Sequence, residues 1–299
     1  MRRLIPLVLI LIVAGAALYL AQRRKTEDAV NANAVVNVAA DWQRDLSRAP
    51  MRVTRLPDAE EVRIGDELVH RYGYAEPYEN PEIASVENYV SQVGSRVVRN
   101  TRRKIEFRFH FVPDPSLINA FALPGGHVFV GWGLLQQMHS EDELAFVLGH
   151  EIEHVDHYHA AERVQIEARL HKLNLDVLAE AASIPLSLWQ AGYSKDEEFE
   201  ADREGLLLSA AAGYSPQAAV DLMNTFIRLD NQYVRRSETP AGALTQIAVE
   251  GLEAYFRSHP LPSERLGRVR TLIGEAGLRP DQPTTPLPDL ENSGPSAGR

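Results

Sequence analysis

Residues 144–155 read Leu144-Ala145-Phe146-Val147-Leu148-Gly149-His150-Glu151-Ile152-Glu153-His154-Val155. Ser140, with Glu143 three residues on, supplies a helix start before this run. Phe146, Val147, Leu148 and Val155 predict that the helix is buried. Residues four apart on a helix share a face, about 40° apart with about 6 Å of rise. His150 and His154 can therefore take adjacent corners of one tetrahedral zinc ion. Glu151 follows the first His, where its carboxylate reaches a water on that ion, which is the mechanical content of an HExxH pattern. A buried helix this rich in His and Glu needs partners for them.

A catalytic zinc takes a third protein ligand and keeps an open position. The chain has no Cys, so His, Asp or Glu must supply that ligand. The candidate segment is Lys195-Asp196-Glu197-Glu198-Phe199-Glu200-Ala201-Asp202-Arg203. Glu198 and Asp202 are four apart on one face, and Ala201 and Gly205 predict close packing against another element. Spacing alone leaves Glu197, Glu198 and Glu200 as alternatives.

Working outward, 44% hydrophobic and 24% charged residues are ordinary for a globular chain and exclude wholesale disorder. The net charge is −10; beyond residue 30 there are 26 bases and 39 acids, a net of −13. A body this acidic is not a nucleic-acid binder. Arg2 and Arg3 precede the uncharged run Leu4–Ala21, so residues 1–25 read as a signal-anchor or a cleaved signal peptide. Lack of Cys removes a lipidated anchor. Residues 26–58 read as a tether.

Helical patterning runs from Ala59 to Gly73 and over Ile83–Val98. Ile105–Val112 alternates as a strand, with Ile105, Phe107, Phe109 and Phe111 on one face. Asn119–Val130 reads as a hairpin turning on Pro124-Gly125-Gly126. Helices dominate from Ser140 to about Ala276. Residues 278–299, rich in Pro, Ser and Gly, read as a disordered tail. The expected fold class is α+β, mostly helical, with a small sheet or hairpin beside the HExxH helix and one domain over residues 59–277.

Four segments occur together in order: Asn119–Val130, His150–His154, Glu198–Asp202 and His259–Arg265. This arrangement resembles the HExxH…ExxxD zinc metallopeptidase family that includes periplasmic BepA, HtpX, mitochondrial OMA-type proteases and CAAX prenyl endoproteases. The likeness covers roughly residues 59–275 and is strongest to BepA-like members with a soluble protease domain. The resemblance implies a zincin-type domain holding one zinc through His150, His154 and Glu198. It implies Asp202 as the partner behind a ligating His. It gives His259, in His259-Pro260-Leu261-Pro262, as a fourth ligand or an oxyanion donor, and Arg265 as a second oxyanion group. It gives Asn119, Ala120, Phe121, Gly125 and Gly126 as the shapers of an edge strand on which a substrate peptide can lie. Two positions depart from the family pattern: His127 stands where an aromatic is common, and Tyr158 where Arg commonly precedes His159.

The function so implied is a zinc endopeptidase with Glu151 as general base. It would act on unfolded or misassembled envelope polypeptides, at or outside a membrane reached through the N-terminal segment. The alternative is a zinc-dependent chaperone or assembly factor using the same cleft, with a latent or weak protease site. An intact Glu151 favours chemistry, because a pure binder needs no base.

Overall fold

A computed structural model describes residues 56–74, 77–171, 183, 185–189, 193–236 and 262–288. The N-terminal segment, nearly all of the tether, His259 and residues 289–299 lie outside the described residues. No helix among the described residues is long and apolar enough to cross a membrane.

Helix α1 (Asp58–Arg71) starts after Pro57 with Asp58, Glu60 and Glu61 in its first turn, where carboxylates complement the helix dipole. It buries Ile64, Leu68 and Val69. Helix α2 (Pro81–Val97) is capped by Asn80, whose side chain accepts from the Glu82 N–H at 2.8 Å. Its buried Val86, Val90, Val93 and Val97 follow a helical stripe.

Three short strands follow: β1 (Arg108–Val112), β2 (Ala120–Leu123) and β3 (His127–Gly131). β2 and β3 form the expected hairpin, and β1 adds to the far side of β3 in parallel, giving the order β1-β3-β2. Strand β1 is shorter than the alternation of Ile105–Val112 predicts. Its ladder starts at Arg108 opposite His127, the first residue after the Gly125-Gly126 turn, so Ile105–Phe107 have no β3 residues to pair with.

The sheet separates two cores by the period-two alternation of its side chains. Phe109, Phe111, Val128 and Val130 join α2 and the HExxH helix on one side. Val112, Phe121, Leu123 and Phe129 join α1 on the other. A short α3 (Trp132–Leu135) leads to α4 (Glu141–Asp156), which carries the HExxH residues and is buried along its whole length. Then come α5 (His159–His171), α6 (Leu186–Trp189), α7 (Lys195–Ala211), α8 (Gln217–Arg236) and α9 (Pro262–Glu275).

The Ser140 hydroxyl caps α4 as expected, accepting from the Glu143 N–H at 3.2 Å. Glu143 itself reaches one residue further back, to the His139 N–H. The Pro-rich segment departs from its expected disorder over its first part. The Glu141 N–H donates to the Thr285 carbonyl, the Thr285 N–H donates to Asp142, and Ser140 pairs with Pro286. The orphan Glu141 N–H and the Asp142 carboxylate at the start of α4 thereby recruit the tail.

Candidate metal centre

Helices α4 and α7 carry the site, and glycine sets how close they come. A Cβ built on Gly205 would lie 2.5 Å from the His150 nitrogen, and one on Gly149 would lie 2.6 Å from the Gly205 carbonyl oxygen. Backbone therefore meets backbone at this crossing. About three turns before it, α7 opens with a reciprocal box: the Glu197 N–H donates to the Ser194 hydroxyl, and Glu197 accepts from the Ser194 N–H at 2.8 Å.

This packing separates the three glutamates that spacing left undecided. Glu197 is occupied at the cap. Glu200 points to His157 and His159, at 3.1 and 3.4 Å. Glu198 is fully buried and faces both motif histidines: its carboxylate oxygens lie 3.5 Å from His150 Nε2 and 3.6 Å from His154 Nε2. The two Nε2 atoms are 3.2 Å apart. A tetrahedral zinc with bonds of about 2.05 Å sets its ligands about 3.3 Å apart. The triangle of His150, His154 and Glu198 thus fits such an ion in size and in donor chemistry.

The far nitrogens of both histidines are also engaged. His150 Nδ1 lies 3.0 Å from Asp202 Oδ1. Arg265 closes on the same carboxylate with two bonds, Nε to Oδ2 at 2.8 Å and a terminal nitrogen to Oδ1 at 2.6 Å. Burial alone would raise the Asp202 pKa, but Arg265 and the His150 hydrogen bond hold it down at about 2. His154 Nδ1 meets His159 Nδ1 at 3.0 Å. The Tyr193 ring stacks on His154 with centroids 3.8 Å apart, and its N–H donates to Glu198 at 3.2 Å.

Glu151 is buried beside this group. Burial pushes its carboxyl up to about 7, against the pull of His150. In the metal-free site burial opposes charge on His150, yet the Asp202 and Glu198 hydrogen bonds raise it to about 10. Glu151 and His150 line a small cavity with Ala120, Phe146, Met223 and Arg265.

The hairpin residues divide. Ala120 reaches this cavity. Phe121 instead stacks on Phe129 at 4.8 Å in the α1-side core. Gly125 donates its N–H to Glu61 at 3.0 Å, and Gly126 lies against the Glu106 carbonyl, both with positive φ. They serve the turn and its packing on α1 and do not line the cavity of Glu151. Asn119 is buried and its carbonyl accepts from the Gly131 N–H. His127, buried, bonds Asp66 at 3.0 Å and His110 at 2.9 Å.

Sequence reasoning left two neighbours of the centre without a role. His159 sits off the His150/His154 face on any straight helix, and only the break at Tyr158 turns it back. Tyr193 had no signal beyond its place before the Ser194 cap.

The model of peptidase family M48 matches residues 84–273. The chain belongs to peptidase family M48. This M48 chain is 27% identical over 239 residues to the beta-barrel assembly-enhancing protease of Escherichia coli K12, covering 74% of this chain and 45% of that one. It is 28% identical over 239 residues to the protein of that name from Yersinia pestis, with the same coverage. To the mitochondrial metalloendopeptidase OMA1 of Schizosaccharomyces pombe it is 31% identical over 202 residues, 64% of this chain and 54% of that one. The matched M48 region thus spans about half the length of these relatives. It contains the HExxH helix, Glu198, Asp202 and Arg265, and family membership implies a metal at such a group.

Proposed function

We propose that this protein is a zinc-dependent endopeptidase that cuts unfolded or misassembled polypeptides in the cell envelope. The observation that carries it is the buried triangle of His150, His154 and Glu198, sized for one zinc, with Glu151 in the adjoining cavity. Zinc, when bound, supplies Lewis acidity towards a water and a carbonyl oxygen. Glu151 takes a proton from the attacking water and later delivers it to the leaving amine. Asp202, kept ionised by Arg265, accepts the His150 Nδ1–H and so aims Nε2 at the centre. His159 does the same for His154. The family resemblance supports substrate addition along the edge strand β2, which begins at Ala120 beside Glu151.

In this reading Arg265 is a positioning residue for Asp202, and His259 remains the candidate oxyanion donor or fourth ligand. The envelope setting rests on the basic-flanked Leu4–Ala21 run and on the printed names of the beta-barrel assembly-enhancing relatives. The test is metal content of Glu198→Gln against wild type. Zinc at one per chain in wild type and lost from the variant supports the site; equal zinc in both contradicts it. Polypeptides retained by a Glu151→Gln trap in envelope extracts, and released by wild type, then name the substrates.

A further inference from the structure

Beyond α4 the chain turns through Tyr158, whose φ of 66° is left-handed, a conformation that bulky residues rarely take. The Tyr158 ring is held under the Arg103 guanidinium at 3.9 Å. After this turn His157 and His159 converge on Glu200 of α7. His157 Nδ1 lies 3.1 Å from Glu200 Oε1, and His159 Nε2 lies 3.4 Å from Glu200 Oε2. One donor atom from each of the three falls within 4.8 Å of the others.

The opposite ring nitrogens are already engaged. His157 Nε2 faces the buried Glu153 carboxylate at 3.0 Å, and His159 Nδ1 meets His154. A partner on the far nitrogen is the usual support of a metal-binding imidazole, because it fixes tautomer and ring angle. With its ring proton on Nε2, beside Glu153, a neutral His157 turns its Nδ1 lone pair towards the Glu200 carboxylate. Two acceptors 3.1 Å apart need a cation between them, either a proton or a metal ion. The Glu200 side chain is 47% exposed, so an ion can enter from solvent. The neighbouring cation, Arg102, is paired with Glu204 at 3.1 Å.

We propose that His157, His159 and Glu200 form a second divalent-metal site, separate from the His150–His154–Glu198 centre and coupled to it through His159. Two imidazoles and a carboxylate suit zinc. The site itself stands independently of the endopeptidase reading; only the coupling rests on it. His159 touches both groups, with Nε2 towards Glu200 at 3.4 Å and Nδ1 towards His154 at 3.0 Å. An ion held at Nε2 would pull on the ring whose other nitrogen supports His154, so excess zinc is expected to lower turnover.

The test counts zinc bound to the full chain by equilibrium dialysis and elemental analysis. Wild type is expected to hold two zinc ions, the second more weakly. His157→Gln, which keeps a polar group beside Glu153, and Glu200→Gln, at an exposed position, each keep the first and weaken the second by at least about tenfold. Glu198→Gln loses the tight ion and keeps the weak one. One ion per chain in wild type at saturating zinc overturns the second site. So does a second ion retained at full affinity by both His157→Gln and Glu200→Gln, which would leave a protonated His157 as the only cation there. A missing tight ion with the weak one present overturns the endopeptidase reading instead. Excess zinc should inhibit peptide hydrolysis by wild type and spare His157→Gln; equal inhibition overturns the coupling.

Discussion

Gly149 and Gly205 meet backbone to backbone, with no room for a Cβ on either. This contact lets α4 and α7 approach until His150 and His154 on one helix share a point with Glu198 on the other. Gly205→Ala puts a methyl 2.5 Å from the His150 nitrogen. Overpacking of this kind costs about 1–3 kcal/mol, and the helices must separate to relieve it. The expected outcome is a lower unfolding midpoint together with zinc lost during purification. A variant with wild-type midpoint and full zinc would show that the crossing does not set the site.

Asp202 joins His150 to Arg265 inside the protein, and both side chains of the Arg265–Asp202 pair are almost fully shielded, at 3% and 4% exposure. Asp202→Asn keeps the shape but leaves the guanidinium without its counter-charge. Breaking a buried pair in this way costs about 3–5 kcal/mol. Loss of the carboxylate behind a ligating His weakens metal binding by about 10–100-fold. Chemical denaturation and competition with a zinc chelator measure the two effects separately. Arg265→Ala together with Asp202→Asn should recover part of the stability and none of the zinc affinity. Recovery of both would mean that Asp202 acts only as an ion-pair partner.

Local pattern carried much of the fold. The valine stripe of α2, the Pro-Gly-Gly hairpin and the Ser140 cap are all readable from neighbours in the chain, because period and turn chemistry are local. The HExxH residues were legible for the same reason: four residues on a helix fix the relative placement of two side chains. The choice among Glu197, Glu198 and Glu200 was not, since it depends on the angle and depth at which α7 crosses α4. The pairing of Thr285 and Pro286 with the start of α4 was equally hidden. Composition predicts disorder for such a segment, and one orphan donor and one carboxylate some 140 residues away recruit it. Phe121 lies in the edge strand β2 with its ring in the core, and Gly125-Gly126 make the turn that ends that strand, so what these residues lend to the edge is backbone shape.

His110 stacks on Phe129 at 4.5 Å and bonds His127 at 2.9 Å. Burial, with His127 and Arg108 nearby, lowers its pKa from 6.5 to about 3. The unfolded chain therefore binds a proton that the folded chain refuses. Stability from this residue is complete above pH 6.5 and is lost as pH falls from 6.5 towards 3, at up to about 1.4 kcal/mol per pH unit. His110→Phe keeps a ring on Phe129 and removes the linkage. It should be less stable than wild type near pH 7.5, because His127 loses a partner, yet fall less between pH 6.5 and 4.5. Unfolding midpoints across that range decide it, and parallel curves for the two proteins would exclude His110 as the source.

The central claim is that Glu151 performs proton transfer at a metal held by His150, His154 and Glu198. Peptide hydrolysis by purified Glu151→Gln, with zinc counted in the same samples, tests it most directly. The account predicts zinc equal to wild type and turnover reduced by about 10²–10⁴-fold, the usual worth of a positioned general base. Wild-type turnover by a zinc-loaded Glu151→Gln protein would contradict it.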